Sequence, residues 1–209
     1  MMHLNFLKAK WLNKPDVFEV CDHVIKILTE PGTDFWQRSY YGFSNDNAPA
    51  LLLESLINFT FTARVSFKYK TRFDQCGLVI YFDSDNWFKA SVEHENLNVS
   101  RLGTVVTNHG YSDWATTDII PANEMWFRLH RRGPDFLIES STDGGEFQQM
   151  RIFHLHFLGE TSPEVSENNV SPPPIHPIQF GFYACSPQDS SFEATFDSYQ
   201  LENCQWSAH

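Results

Sequence analysis

From Asn58 to Tyr69 the chain alternates without a break. Phe59, Phe61, Ala63, Val65, Phe67 and Tyr69 fall on one face, and Thr60, Thr62, Arg64, Ser66 and Lys68 on the other. Period two sustained over that length is the signature of a strand and is hard to reconcile with a helix. The rhythm recurs in Gln75 to Phe82 and Trp87 to Glu95, two runs joined by the tight turn Asp83-Ser84-Asp85-Asn86. A third apolar run leads into the segment Thr107 to Trp114, which reads as a loop. His23 to Thr29 alternates until Pro31-Gly32 breaks it. Phe35 to Phe43 is aromatic-rich and is bounded by the loop-forming stretch Asn45 to Pro49. Ala50 to Ser55, Met125 to Arg131, Phe136 to Ser140, Gln148 to Phe157, Ile178 to Cys185 and Phe192 to Leu201 complete the expected strands. Gly133-Pro134-Asp135 turns the chain after Arg131, and Asp143-Gly144 supplies the positive φ angles of a hairpin turn. Residues 4–14 fit either an edge strand or a short helix.

Strands at this spacing, with no long amphipathic helix, predict an all-β fold: a jelly-roll sandwich of two antiparallel sheets. The one shift in composition is Leu158 to Pro177, which holds Pro163, Pro172, Pro173, Pro174 and Pro177. It reads as an exposed, extended loop rather than a linker, so residues 1–209 are expected to form a single domain.

Composition narrows the function classes. The formal charge is -11, and the only basic cluster is Arg131-Arg132, so a phosphate backbone would be repelled and nucleic acid is not an expected partner. No apolar run approaches the length needed to span a bilayer, and Met1 to Lys14 lacks the continuous apolar core of a secretory signal. Cys21, Cys76, Cys185 and Cys204 show no paired spacing. Cys76 and Cys185 lie in apolar runs, where a small reduced side chain is expected. The sequons at Asn58, Asn98 and Asn169 read as chance matches, and a cytoplasmic protein is expected.

Three segments together resemble a known family: Asp74 to Leu78, Asn86 to Glu93, and Val105 to Trp114. Arg128 to Glu139, Gln149 to Leu155 and Phe180 to Pro187 fit the same pattern, and the likeness covers roughly residues 33–201. The chain is similar to the regulation of enolase protein family, a domain of unknown function. The resemblance implies a concanavalin-A-like sandwich with one concave sheet and a cytoplasmic protein linked to regulation of carbohydrate metabolism, with a glycolytic enzyme as protein partner. It supplies no catalytic residues. Relatives in the wider lectin and glucanase superfamily bind or cleave glycans on the concave sheet, which is fold analogy alone.

Alternation also predicts a site. Lys89, Ser91, Glu93 and Glu95 share one strand face, and Gln75, Gly77, Val79 and Tyr81 share a face of the preceding strand. If the polar faces of neighbouring strands meet, one surface gathers Gln75, Tyr81, Lys89, Glu93, Arg128, Glu139 and Tyr183. His109, Tyr111 and Trp114 would form its rim. Gly77 and Gly181 would leave room for a ligand. Convergent polar groups with aromatic walls suit a small polar ligand such as a carbohydrate or metabolite; a solvated outer face is the plain alternative.

A glycan hydrolase is the other reading. Glu93 with Glu95, two apart on one strand and so ~6.5–7 Å between α-carbons, or Glu93 with Glu139, would be its carboxylate pair. Lys89 and Arg128 nearby are expected to hold these carboxylates ionised, which disfavours a general acid. No cofactor is expected. His154 and His156 would share a strand face but lack a third metal ligand. Asp83 to Asn86 departs from a calcium loop at Trp87 and reads as a hairpin turn. No phosphate loop, nucleophile elbow or Cys/His dyad is present.

Overall fold

The structure, a computed structural model, describes residues 4–161 and 174–207. Its strands are β1 (Lys10–Leu12), β2 (Phe18–Val20), β3 (Val24–Leu28), β4 (Phe35–Gln37), β5 (Ser44–Asp46), β6 (Ala50–Ser55), β7 (Phe59–Phe67) and β8 (Gln75–Asp83). There follow β9 (Asn86–Asn96), β10 (Val99–Asn108), β11 (Tyr111–Ile119), β12 (Glu124–Arg132), β13 (Asp135–Ser141), β14 (Gln148–His154), β15 (Ile178–Cys185) and β16 (Glu193–Asn203). Two antiparallel sheets of seven strands each face one another, as the alternation predicts. The front sheet runs β1-β6-β15-β8-β9-β10-β11, and the back sheet runs β14-β13-β12-β7-β16-β3-β2.

The apolar face of β7 is the centre of the inter-sheet core. Phe59 and Phe61 meet Phe180 and Phe182 of β15 at ring separations of 4.6–5.5 Å. On the front sheet Cys76, Leu78 and Ile80 of β8 and Phe88, Ala90 and Val92 of β9 point inward, all without exposed surface. Phe88 stacks on Phe153 of β14 at 3.9 Å. Large aromatic side chains filling a gap about 10 Å thick are what drives two sheets together.

A second, smaller core covers the opposite side of the front sheet. Strands β4 and β5 form a separate two-stranded hairpin. It lays Phe35 and Trp36 over Val79, Tyr81, Trp87, Tyr183 and Cys185. Phe35 lies 5.6 Å from the Trp87 ring and 6.0–6.1 Å from Tyr81 and Tyr183. The front sheet is therefore buried on both faces over this half.

Several boundaries differ from expectation. Residues 4–14 contain both alternatives, a 3-10 turn at Phe6–Lys8 and then β1. The expected loop from Thr107 to Trp114 is a tight hairpin: β10 and β11 pair across a turn at His109-Gly110, where both φ angles are positive (52° and 74°), the geometry of a type I′ turn. The strand from Gln148 ends at His154, and a 3-10 turn, His156–Leu158, tucks Leu158 into the core. Residues 162–173 of the proline-rich stretch lie outside the described residues.

Arg131 is the most deeply buried charge of the back sheet among the described residues. It has no exposed surface, and its guanidinium donates to the carbonyls of Gly133, Ser55 and His176 at 3.1, 3.1 and 2.7 Å. Burial pulls its pKa down to about 10. Arg131→Leu would strand three carbonyls. Loss of about 3 kcal/mol is expected, since each buried group left without a partner costs its desolvation. A melting temperature lowered by roughly 6–12 °C, by circular dichroism, checks it.

Candidate functional site

Beside the cover hairpin the outer face of the front sheet holds a cavity of about 290 Å³. Its floor is Gln75 of β8, Lys89, Ser91 and Glu93 of β9, and Gly103 and Val105 of β10. Its wall is aromatic: Trp36, Tyr41 and Phe43 of the cover hairpin, Phe73, and Trp114 of β11. Trp36 meets Trp114 edge-on at 6.4 Å and Tyr41 at 5.4 Å, and Tyr41 stacks with Phe43 at 5.7 Å. Asp34, Pro187 and Gln188 close the rim.

The floor is built by strand period. Residues 89, 91 and 93 all project outward because successive side chains alternate. Lys89 is 4% exposed and Glu93 8%, so neither is a solvated surface charge. Lys89 Nζ donates to Asp34 Oδ1 at 2.9 Å and lies 6.0 and 5.8 Å from the Trp87 and Tyr183 rings. Burial works against the Lys89 ammonium, but the Asp34 carboxylate, helped by Cys185 and Glu93, outweighs it and the net shift is upward. Tyr183 donates to Gln75 Oε1 at 3.0 Å, and Gln75 Nε2 donates to Glu93 Oε2 at 3.2 Å. Glu93 Oε1 has no hydrogen-bond partner and is shielded from water.

That orphan oxygen changes the chemistry expected of Glu93. Burial, its largest influence, pushes the carboxyl up to about 7; Lys89 opposes this and Asp34 adds to it. The expectation that Lys89 and Arg128 hold Glu93 ionised is corrected. Lys89 is engaged with Asp34, and Arg128 is on the other sheet.

The expected surface thus divides. Gln75, Lys89, Glu93 and Trp114 line the cavity. Tyr183 lies beneath it as a hydrogen-bond donor. Tyr81 is sealed under β5, its hydroxyl donating to Asp46 at 2.8 Å. His109 and Tyr111 are held away from the wall: His109 stacks on His156 at 5.4 Å, and Tyr111 lies 5.9 Å from the Arg38 guanidinium. Arg38 also donates to Gly110 O at 2.9 Å and pairs with Asp85 at 3.3 Å, which staples the cover hairpin to the sheet.

Arg128 and Glu139 belong to β12 and β13 of the back sheet, paired across from one another. Arg128 Nε reaches Glu139 Oε2 at 2.7 Å, His130 Nε2 lies 2.9 Å from the same oxygen, and His130 Nδ1 is 2.8 Å from the Thr60 hydroxyl. Glu139 is driven down by these bonds despite burial, and His130 is driven down by burial. Of this cluster Arg128 and Thr60 line a second cavity of about 370 Å³, and Glu139 and His130 do not. Alternation places polar side chains on a face but does not say which sheet owns the strand.

The carboxylate pairs fare similarly. Glu95 is held by Arg72 at 2.8 Å and Arg101 at 3.1 Å and does not line the cavity. Glu139 is on the far side of the sandwich. Gly77 and Gly181 do not open space for a ligand either: an added Cβ would lie 1.9 Å from Ala90 O and 2.1 Å from Leu51 O. The neighbouring backbone takes that room. His154 pairs with Asp135 at 2.8 Å, and among the described residues no group of three or more His, Cys, Asp or Glu is placed to hold a metal. No helix there is long and apolar enough to cross a membrane.

Sequence reasoning missed Asp34, Trp36, Tyr41, Phe43 and Phe73. The available signal was the aromatic density of Phe35 to Phe43 beside continuous apolar runs such as Leu78 to Tyr81. Such a run marks a strand buried on both faces, which requires a cover.

Residues 11–204 match the family described as "Protein of unknown function (DUF1349)". The chain is 29% identical over 196 residues to the Saccharomyces cerevisiae protein named Regulation of enolase protein 1, spanning 93% of this chain and 89% of that one. A crystal structure described as a functionally unknown protein from Saccharomyces cerevisiae superposes with a TM-score of 0.82 at 25% identity, covering 97% of this chain and all of that one. The GH43 protein BlXynB of Bacillus licheniformis superposes at 0.64 with 16% identity over 90% of this chain but only 35% of its own, a likeness of fold alone.

Glu93 makes stability fall with pH. Its folded pKa of about 7 lies above the ordinary 4.5, so the folded state binds the extra proton in that window. Stability is then lost as pH rises from about 4.5 to 7 and is level above it. Glu93→Gln, which keeps the bond to Gln75 without a charge, is expected to gain of the order of 3 kcal/mol on the wild type between pH 4.5 and 8. Urea unfolding across that range measures it; a constant gap between the two proteins would mean Glu93 ionises normally.

Proposed function

We propose that this chain, which belongs to the DUF1349 family of proteins of unknown function, is a binding and regulatory protein that takes a small polar ligand into the cavity over Lys89 and Glu93. One observation carries this reading: a cavity of about 290 Å³ whose floor is charged and nearly buried and whose wall is aromatic. Burying a lysine and two carboxylates costs free energy that a purely structural surface has no need to spend. Apolar walls with a few fixed polar groups are the usual make-up of a ligand site. The yeast relative's name supports a regulatory role, with enolase as the first protein partner to test and carbohydrate metabolism as its setting. Four free cysteines, two of them fully buried, suit a reducing compartment, and we place the protein in the cytoplasm.

Binding is favoured over hydrolysis by the fate of the carboxylates. Glu95 is locked between two arginines and Glu139 is on the other sheet. Asp34, the other cavity carboxylate, already accepts from Lys89 and from the Phe35 amide.

Two measurements test the reading. In a thermal-shift screen of sugars and charged metabolites, a ligand at one hundred times its Kd should stabilise by about 2.7 kcal/mol, roughly 5–11 °C at this size. The shift should vanish in Lys89→Ala and Trp114→Ala; a shift that survives both places the ligand elsewhere. A panel of chromogenic glycosides should show no turnover, and turnover abolished by Glu93→Gln would replace binding with catalysis.

A further inference from the structure

The charges around the cavity pair off with one left over. Lys89 is matched to Asp34 at 2.9 Å. Arg72 and Arg101 hold Glu95, and Arg101 also reaches Asp118 at 3.6 Å. Glu93 has no ion-pair partner among the described residues; its one hydrogen bond comes from the neutral Gln75 amide. The wall beside it is made of π-faces, with Trp36, Tyr41, Phe43 and Trp114 in consecutive ring contact.

An unmatched carboxylate beside an aromatic wall selects for positive charge. Ring faces attract cations through their quadrupole, more strongly once both partners are out of water. A methylated ammonium needs no hydrogen-bond acceptor, which suits a carboxylate whose free oxygen is shielded from direct contact. A phosphorylated or carboxylated ligand would instead meet Glu93 and the field of a chain with net charge -11. We propose that the cavity binds a small organic monocation, a substituted ammonium, whose charge pairs with Glu93 and whose alkyl surface packs on Trp36, Tyr41 and Trp114. This rests on the cavity being a ligand site at all, as argued above.

The alternative within that reading is a neutral polyol, and the two differ in the sign of their pH dependence. The groups that bear on Glu93 are Lys89 and Glu95 of its own strand, Arg101 of β10 and Asp34 before β4, with Gln75 of β8 as its donor. A cation needs Glu93 ionised, so it binds more tightly as pH rises through the range where this carboxyl titrates. A neutral ligand only adds to the desolvation of Glu93, so it binds better below that range.

The experiment is titration calorimetry of the whole protein with choline, with its neutral isostere 3,3-dimethylbutan-1-ol, and with xylose and glucose, at pH 5.5 and pH 8. Choline is expected to bind, to tighten about 30-fold between the two pH values given a midpoint near 7, and to exceed the isostere at pH 8. Glu93→Gln should abolish the pH dependence and weaken choline at least tenfold at pH 8, while Trp114→Ala should weaken it at both pH values. Choline affinity that ignores pH or Glu93→Gln, or an isostere that binds equally well, overturns the proposal. Sugar binding without choline binding also overturns it but leaves the cavity as a ligand site. No binding by any of the four probes, with both variants folded by circular dichroism, counts against both readings.

Discussion

A buried ion pair, Lys89 with Asp34, fixes what this molecule can do. Two charges leave water to make it, at a cost of several kcal/mol for each ion, and only close geometry offsets that. The 2.9 Å contact and the flanking Trp87 and Tyr183 rings supply the offset. Asp34 stands at the entry to β4 and Lys89 in the middle of β9, so the pair fastens the cover hairpin to the front sheet. From that fastening follow the second core, the aromatic wall and the cavity between them. The same contact uses up the one lysine that would otherwise have neutralised Glu93. Cavity and uncompensated charge thus share a cause.

Much of the fold is legible in the sequence because sheet burial leaves a two-residue rhythm. Phe59 to Phe67 alternates, and the structure buries the apolar set of β7 between the sheets. The Asp83 to Asn86 turn stands where expected, because turn chemistry is local; residues 142–147 connect β13 to β14 as expected too, but only Gly144 (φ 77°), not Asp143, takes the positive φ. Legibility fails where partner identity matters. Arg128 and Glu139 have the right alternation and the wrong sheet, since the rhythm that orients a side chain is blind to which strand lies alongside. Thr107 to Trp114 looks like a loop because Asn108-His109-Gly110 is polar and glycine-containing. A two-residue type I′ turn needs no more than that, and the strands resume at once on either side.

The candidate site was half legible for the same reason. Gln75, Lys89 and Glu93 come from strands adjacent in sequence and paired in space, so alternation alone brings them together. Asp34 and Trp36 come from a hairpin that crosses over the sheet, and no periodicity announces a crossing. Gly77 and Gly181 show how one residue type supports opposite conclusions. A glycine in a strand signals close approach, and here the approaching group is the backbone of the next strand rather than a ligand.

The two outer faces of the sandwich make the argument for where recognition happens. On the back sheet the polar cluster is closed. Glu139 accepts from Arg128 and lies against His130, His130 reaches the Thr60 hydroxyl, and that hydroxyl accepts from the Gln205 amide at 2.8 Å. Each member satisfies the next, so the network is content without a guest even though the cavity beside it is the larger, about 370 Å³ against 290 Å³. On the front sheet the chain from Tyr183 through Gln75 to Glu93 stops one bond short. A buried carboxylate oxygen left in that state is costly; Asp46 Oδ1, Asp74 Oδ1 and Glu95 Oε2 share it, but of these residues only Glu93 lines the cavity. Unmatched charge, more than volume, distinguishes the face that awaits a ligand from the face that has finished folding.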